Sequence, residues 1–146
     1  MCPPEVRNEL NRLPSISELI LPITPDAGAL QALGVVLFTI GWATAVSGRV
    51  QLGDNWTNIE VGGVMTEHKL VARGIYSFIR HPIYAGDLLL LLGFELALNS
   101  WLVVGVLLLA PVVVVQARRE ERVLEANLSG YREYRDSTKG FVPLLF

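Results

Sequence analysis

The sequence predicts an all-α membrane protein with a single domain, in which a bundle of about three membrane helices carries a polar pocket at its cytoplasmic end. Three observations lead to this prediction. Of the 146 residues, 51% are apolar although 18% are charged. The charges are dense in some segments and almost absent from others, and the apolar segments have the length of helices. A chain of this length corresponds to one domain, residues 1–146.

The first apolar run, residues 27–48, is the clearest candidate for a membrane helix. It contains no charged residue and is bounded by Asp26 and Arg49. As a helix it would span roughly 33 Å, about the thickness of a bilayer core. The core helix of a soluble protein could be equally apolar, but an uncharged run of this length favours a membrane span. Close approach of a second helix in lipid is permitted by Gly28, Gly34 and Gly41.

The second and third apolar runs, residues 83–98 and 101–116, predict a membrane hairpin. Only Asn99 and Ser100 separate them, and Trp101 stands where an interfacial anchor is expected. Each run is shorter than the ~20 residues of a full span, but two such runs joined by a two-residue polar turn favour a hairpin in the membrane. We expect the third helix to continue beyond its apolar run, because good helix formers follow it without a breaker.

The placement of lysine and arginine predicts the orientation of these helices. The loop 48–82 holds four of them and the tail 117–146 holds six, whereas the hairpin turn holds none. The positive-inside rule therefore places both polar segments on the cytoplasmic side, where they would form the pocket. The N-terminal arm, residues 1–26, has two arginines against four acids, which is consistent with the opposite side.

Charge and cysteine content exclude several classes of function. The net charge of −2 gives no basic stripe for a nucleic acid. The single cysteine, Cys2, has no partner in the chain for a disulfide, and no cluster of cysteine and histidine has the spacing of a metal site. We therefore predict neither nucleic acid nor a metal as a ligand. The N-terminus also lacks the basic-then-apolar order of a signal peptide.

Polar and aromatic side chains gather in three clusters on the predicted cytoplasmic side. They are His68-Lys69-Leu70-Val71 with Gly74 and Tyr76, Arg80-His81-Pro82-Ile83-Tyr84, and Arg118-Arg119-Glu120-Glu121. Pro82 occupies a natural first-turn position of a helix. Arg80 could then reach lipid headgroups as an interfacial anchor, or the start of the helix could bind a carboxylate or phosphate. The residues alone favour neither interpretation.

The two adjacent glutamates are separated by helical geometry. Ala117, Glu120 and Leu124 follow a spacing of three to four residues, which puts Glu120 on the apolar, inward stripe of the third helix. Glu121 lies on another stripe and could be solvated. An acid on the inward face needs a cationic partner, which could be Arg80 or the ammonium group of a ligand.

Two further acids, Asp87 and Glu95, fall within the second apolar run. Acids inside a membrane are costly, and a role in function is the default hypothesis for them. Each also stands near one end of a short helix and could simply reach water. We leave both roles open.

Taken in order, these motifs resemble the isoprenylcysteine carboxyl methyltransferase family. The chain contains HxLVxxGxYxxxRHPxYxG from His68 to Gly86, an apolar hairpin, then EExxL, YxxY and a late proline, Pro143. The resemblance covers roughly residues 28–146. Any one motif would be weak, but several in order at compatible spacing are specific.

The resemblance implies a helical membrane fold whose cytoplasmic end wraps S-adenosyl-L-methionine, with a lipophilic or small-molecule methyl acceptor. The residues expected to line the cofactor are His68, Lys69, Leu70, Val71, Gly74, Tyr76, His81, Pro82, Ile83, Tyr84 and Glu120. The residues expected to carry the chemistry are Arg80, Glu120 and Glu121. The sequence has no GxGxxG turn between a strand and a helix, which argues against a Rossmann methyltransferase.

Two other functions stay open at this point. The stretch from Arg80 to Leu88 also resembles NADPH-dependent membrane sterol reductases, and Asp87 fits that family better, whereas the Glu120-Glu121 motif favours the methyltransferase. A non-catalytic membrane scaffold on the same fold is the third interpretation. Because three helices make a thin bundle, a homodimer that completes the pocket is a further arrangement to consider.

Overall fold

The computed structural model of the protein describes residues 22–53 and 70–141. These residues form helices joined by short turns, with two isolated β-bridges and no longer strand among them. The all-helical prediction is therefore confirmed. The elements are α1 (Gly28–Leu52), a single 3-10 turn (Gly74–Ser77), α2 (Pro82–Ala97), α3 (Val103–Asn127) and α4 (Tyr131–Ser137).

The helix boundaries differ from the predicted ones at several ends. α1 runs one turn beyond the predicted end, because Gly53 with a φ of +56° is the first residue to leave the helix. α2 begins at Pro82, whose missing N–H costs nothing in a first turn. α3 continues past its apolar run as predicted and passes through Pro111.

Within the part of the chain that the structure describes, α1 alone is both long and apolar enough to cross a membrane. α2 has 16 residues, and α3 changes from apolar to strongly charged along its length. The structure thus gives one candidate span. The predicted arrangement with three membrane helices stays a proposal.

α1 and α2 pack along their length through glycines that recur every seven residues. A Cβ atom added at Gly41 would lie 2.7 Å from the carbonyl oxygen of Gly86, and one added at Gly34 would lie 2.7 Å from that of Gly93. Both distances are far below a van der Waals contact, so only glycine allows the two backbones to approach this closely. α2 packs much less extensively against α3.

The turn between α2 and α3 is fastened to the chain segment before α1 by Asn99. Its side-chain Oδ1 accepts hydrogen bonds from the backbone N–H groups of Ile23 (3.1 Å) and Thr24 (3.2 Å), and its Nδ2 donates to the Thr24 carbonyl (2.7 Å). Asn99 has a φ of +54°, a conformation that asparagine tolerates better than most residues. The sequence had predicted only a polar turn here.

The segment after α4 folds back onto the start of α2. The backbone N–H groups of Arg80 and His81 donate to the carbonyls of Lys139 (2.8 Å) and Gly140 (3.0 Å). The Tyr134 hydroxyl donates to the carbonyl of Tyr76 at 2.6 Å. We call residues 138–141 the C-terminal strap. It brings α4, the 3-10 turn and the first turn of α2 together beside the charged part of α3.

Candidate active site

An ion pair between the segment that leads into α2 and the helix α3 forms the centre of the site. Arg80 Nε donates to Glu121 Oε1 at 2.7 Å, and the two side chains are only 13% and 16% exposed. The guanidinium also donates through Nη1 to the carbonyls of Arg135 (2.8 Å) and Thr138. A guanidinium engaged in this way joins three segments of the chain, and its charge is already neutralised.

His81 completes this cluster. Its Nε2 lies 3.0 Å from Glu121 Oε1, and its ring stacks on that of Phe141 at a centroid distance of 5.3 Å. The hydrogen bond with His81 and, to a smaller extent, the contacts with Arg80 together lower the pKa of Glu121 to about 2, despite the opposing effect of burial. Glu121 is therefore ionised at neutral pH and acts as the anion that holds the cluster. We call Arg80, His81 and Glu121 the charged cluster.

Glu120 has different neighbours from Glu121. Its Oε1 accepts a short hydrogen bond from the Tyr84 hydroxyl and a longer one from Gln116 Nε2 at 3.4 Å. No ion pair joins it to a cation within the described ranges, and both donors approach the same oxygen. The chain therefore offers one neutralised carboxylate in the charged cluster and, beside it, one carboxylate that can still receive a cation.

The expectation that Glu121 could be solvated is not met, because its side chain is only 16% exposed. Ala117, at 1% exposure, is the most buried residue of α3, and Glu121 stands one turn further along the same face. Glu120 lies at the edge of that face and is half-buried. The apolar pattern could not reveal this, because nearly every residue of α3 before Gln116 is apolar and no side of the helix is marked as inward.

The contacts of Arg80 do not fit the interpretation as a headgroup anchor, because the guanidinium points into the protein and meets Glu121 and two backbone carbonyls. The alternative interpretation, an anion site at the start of the helix, stays a prediction. The predicted alternative of an Arg80 partner for the inward glutamate is realised, with Glu121 in that position and not Glu120.

The predicted cofactor residues before α2 divide into two groups. His68 and Lys69 lie outside the described residues. Leu70 and Val71 are half-buried, and Gly74 and Tyr76 form the 3-10 turn.

The 3-10 turn holds the backbone against its neighbours. Gly74 has a φ of +60°, and the Gln51 side chain lies where a Cβ would be. Gln51 Oε1 accepts the N–H of Ile75 at 2.8 Å. Burial raises the pKa of the Tyr76 hydroxyl, so this group stays protonated. These contacts hold the 3-10 turn in place, and they thereby position the residues that follow it in the chain.

The first turn of α2 brings the second predicted cluster to the site. Pro82 is fully buried, and it and Ile83 pack against Gly48 of α1. Tyr84 projects to Glu120, and its ring centroid lies 5.8 Å from that of His81. The structure thus brings together Arg80, His81, Tyr84, Glu120 and Glu121, which the sequence had placed in two separate motifs.

Asp87 and Glu95 do not join this group. Asp87 is exposed on α2, one turn beyond the site. Glu95 lies near the far end of α2, where its Oε2 atom is buried and has no hydrogen-bond partner among the described residues. Neither residue contacts the charged cluster or Glu120 in any described interaction.

Sequence reasoning did not identify four residues of the site. Gln116 donates to Glu120, Phe141 covers the His81 ring, and Arg135 and Thr138 supply carbonyls to Arg80. The position of Gln116, one turn before Glu120, was a signal that could have identified it. The carbonyl contacts had no signal, because any residue type offers the same backbone oxygen.

Comparison with known proteins gives a match to one family model and to two curated relatives. Residues 29–129 match the family model of phospholipid methyltransferases. Over 128 residues the chain is 34% identical to the cobalt-zinc-cadmium resistance protein CzcN of Cupriavidus metallidurans, with coverage of 84% of this chain and 52% of that protein. Over 104 residues it is 30% identical to the protein-S-isoprenylcysteine O-methyltransferase of Schizosaccharomyces pombe, with coverage of 68% and 43%.

The fold and the site define a helical protein with a candidate membrane span and a carboxylate-bearing polar cluster near the start of α2. The chain belongs to the phospholipid methyltransferase family. The predicted resemblance to isoprenylcysteine carboxyl methyltransferases is confirmed by the yeast relative, and family and relative together point to a methyltransferase. The chain spans about half the length of the curated relatives that it matches.

Proposed function

We propose that this protein is an integral membrane methyltransferase that uses S-adenosyl-L-methionine and acts on a lipophilic or membrane-partitioned small acceptor. The observation that carries the proposal is the contrast between the two glutamates. Glu121 is paired with Arg80 and hydrogen-bonded to His81, whereas the donors to Glu120 within the described residues are the neutral groups of Tyr84 and Gln116. A carboxylate held in place by neutral donors is suited to receive the ammonium group of a ligand.

The residues of the site fit part of the proposed cofactor well. When bound, S-adenosyl-L-methionine supplies an electrophilic methyl group. Glu120 would hold its ammonium group, and the Tyr84 ring offers an aromatic surface to a positively charged centre. Arg80 does not fit the carboxylate of the cofactor, because its guanidinium is already engaged by Glu121 and two carbonyls. For that carboxylate, the proposed donors are His68, Lys69 and the first turn of α2.

The role of the charged cluster in this proposal is to position other groups. Arg80 and Glu121 hold the start of α2 against α3, and His81 lies between Phe141 and Tyr84. These contacts fix the direction in which Tyr84 reaches Glu120. Methyl transfer needs little acid–base chemistry, so the main contribution of the protein is to align the acceptor and to exclude water.

The membrane arrangement is part of the same proposal. We place α1 and the α2–α3 hairpin in the bilayer, with the charged part of α3 on the cytoplasmic side, as the distribution of lysine and arginine indicates. An apolar acceptor would then reach the site from the lipid, between helices, and the cofactor from the cytosol. A homodimer that completes the pocket is compatible with this arrangement.

The reductase and scaffold alternatives are less well supported. The family model and the yeast relative are both methyltransferases by name, and Asp87, which fitted the reductase pattern, lies exposed and away from the site.

Ligand binding tests the proposal directly. The full chain, purified in a mild detergent, is titrated by calorimetry with S-adenosylhomocysteine and separately with NADPH, and its helicity is checked by circular dichroism. We expect binding of S-adenosylhomocysteine and none of NADPH. Binding of NADPH alone by the folded protein would favour the reductase, and binding of neither would favour the scaffold.

A further inference from the structure

α3 separates its acids from its arginines where the apolar run ends. Glu120 and Glu121 turn toward α2, whereas Arg118, Arg119 and Arg122 are all exposed. No ion pair in the described part of the chain involves any of these three arginines. Their one described side-chain hydrogen bond runs from Arg122 Nε to the Arg118 carbonyl at 3.3 Å. We call these residues the arginine face.

The arginine face continues an outward apolar surface of the same helix. Leu108 is 71% exposed and Val115 is 47% exposed, and both lie at helical spacings that place them on the side of Arg119 and Arg122. Nothing in the described chain covers this side of α3. In the proposed membrane arrangement, lipid tails contact the apolar part of this surface, and the arginines come next along the helix axis.

Arg118 and Arg119 lie at the depth of the headgroup layer, and Arg122 lies just beyond it. With a rise of 1.5 Å per residue, Arg118 and Arg122 lie about 4.5 and 10.5 Å beyond Val115. The headgroup region of a leaflet is roughly 5–8 Å thick. The flexible side chains of Arg118 and Arg119 therefore reach phosphate groups without a change in the helix.

The arginine face is suited to bind an anion that several guanidinium groups can contact at once. Three exposed cations within five residues repel one another, because no described ion pair joins any of them to a carboxylate. A phosphate oxygen pair matches the planar donor fork of arginine, so one phosphate can be held by two donors of the same side chain. An apolar surface directly before the arginines favours a phosphate that is attached to acyl chains over a free ion.

We propose that Arg118, Arg119 and Arg122 form a binding face for anionic phospholipid headgroups at the bilayer surface. The proposal rests on the proposed insertion of α3 in the membrane and does not depend on the identity of the cofactor. It also assigns the headgroup contact, which the sequence had offered to Arg80, to residues that the charged cluster does not use.

The test measures lipid preference on the full chain. The protein is placed in nanodiscs with equal amounts of phosphatidylcholine and phosphatidylglycerol, and native mass spectrometry counts the lipids that remain bound. We expect the wild type to retain mainly phosphatidylglycerol. Three single variants are compared with the wild type: Arg118→Gln, Arg119→Gln and Arg122→Gln. Each should lower the ratio of bound phosphatidylglycerol to bound phosphatidylcholine by up to about fivefold, since a basic residue at the membrane surface contributes about 1 kcal/mol to the binding of anionic lipid.

Two controls keep the test decisive. The triple change to lysine keeps the charge and should keep most of the preference, whereas the triple change to glutamine should abolish it. Arg132→Gln removes an exposed arginine from α4 and should leave the ratio unchanged. Equal ratios in the wild type and the triple glutamine variant would overturn the proposal. So would calorimetric binding of inorganic phosphate in detergent that the triple glutamine variant loses, because the face would then serve a soluble anion.

The same samples distinguish this proposal from the proposed function. Binding of S-adenosylhomocysteine should be unchanged, within about twofold, in all of the arginine variants, since none of these side chains contacts the charged cluster or Glu120 in the described structure. A wild type that prefers phosphatidylglycerol but does not bind S-adenosylhomocysteine would refute the cofactor and leave the arginine face standing.

Discussion

α1 and α2 approach so closely that their glycines oppose one another along the interface, whereas the described polar contacts between the start of α2 and α3 are made by side chains. A Cβ atom at Gly41 would lie 2.7 Å from the Gly86 carbonyl. At the start of α2, the contact to α3 is made instead by Arg80 and Glu121. The first interface depends on the absence of side chains, and the second depends on their chemistry.

This difference assigns separate tasks to the two interfaces. Backbone contact at the glycines leaves few other ways to pack the two helices, so α1 and α2 form a rigid pair. The α2–α3 interface is set by hydrogen bonds and charge, and the site lies there because Tyr84 and Glu120 face each other across it. We therefore expect changes at the first interface to alter stability alone, and changes at the second to alter stability and ligand binding separately.

Removal of one partner of the ion pair should destabilise the protein most. Glu121→Gln removes the anion that pairs with Arg80 and bonds to His81, and we expect the free energy of unfolding to fall by about 3 kcal/mol. Arg80→Gln should cost a similar amount, because it also releases the carbonyls of the C-terminal strap. The double variant should lose less than the sum of both. Denaturation in detergent, followed by circular dichroism, measures these changes.

Glu133→Gln is the matched control for this cycle, because Glu133 is exposed and lies in no described ion pair. It should leave stability unchanged. Fully additive losses at Arg80 and Glu121 would show that the two side chains do not act as a pair.

Acid should weaken the same interface. The pKa of Glu121 is lowered from an ordinary value of 4.5 to about 2, so the folded state binds this proton less readily than the unfolded state. Its contribution to stability is complete above about pH 4.5 and is lost as the pH falls toward 2. Between pH 6 and pH 3 the melting temperature of the wild type should therefore drop more than that of Glu121→Gln. Parallel curves would remove Glu121 as the cause.

A moderate loss is expected at the glycine interface. Gly41→Ala places a Cβ against the backbone of α2, and we expect a cost of about 2 kcal/mol from overpacking. Gly105→Ala is the matched control, because nothing lies within 4 Å of a Cβ at that position of α3. It should be neutral or slightly stabilising, since alanine favours a helix. Equal melting temperatures of the two variants would contradict the close approach of α1 and α2.

The smallest effect is expected from the loss of a single hydroxyl. Tyr84→Phe removes the hydrogen bond to Glu120 and keeps the ring. We expect a loss of about 1 kcal/mol in the free energy of ligand binding, that is, roughly fivefold weaker binding of S-adenosylhomocysteine by calorimetry. Unchanged affinity would mean that the hydroxyl does not orient the carboxylate.

Much of the fold followed from residue pattern. Long apolar runs predicted α1 and the hairpin, and Pro82 marked the start of α2. The side of α3 that faces the protein interior could not be predicted in the same way, because a helix that is apolar on all sides gives no inward stripe. Ala117 was the useful signal, since a small residue marks the face of closest approach, and Glu121 stands one turn beyond it.

The contacts of the C-terminal strap and of the Asn99 side chain could not be predicted from the sequence for another reason. Both depend on backbone groups that are distant in the chain, such as the Lys139 and Gly140 carbonyls that receive the N–H groups of Arg80 and His81. Residue identity carries no information about such partners. The charged residues of the site were found from their motifs, but their pairing was set by tertiary contacts.

Glu120 and Glu121 are expected to have different roles, ligand binding for Glu120 and stability for Glu121, and one comparison of two variants tests this difference. Glu120→Gln and Glu121→Gln are measured side by side for melting temperature and for S-adenosylhomocysteine affinity by calorimetry. We expect Glu120→Gln to lose at least about tenfold in affinity, since a hydrogen-bonded charge contributes about 1.5–3 kcal/mol, with little change in melting temperature. Glu121→Gln should lower the melting temperature clearly. Wild-type affinity in a folded Glu120→Gln variant would contradict the claim.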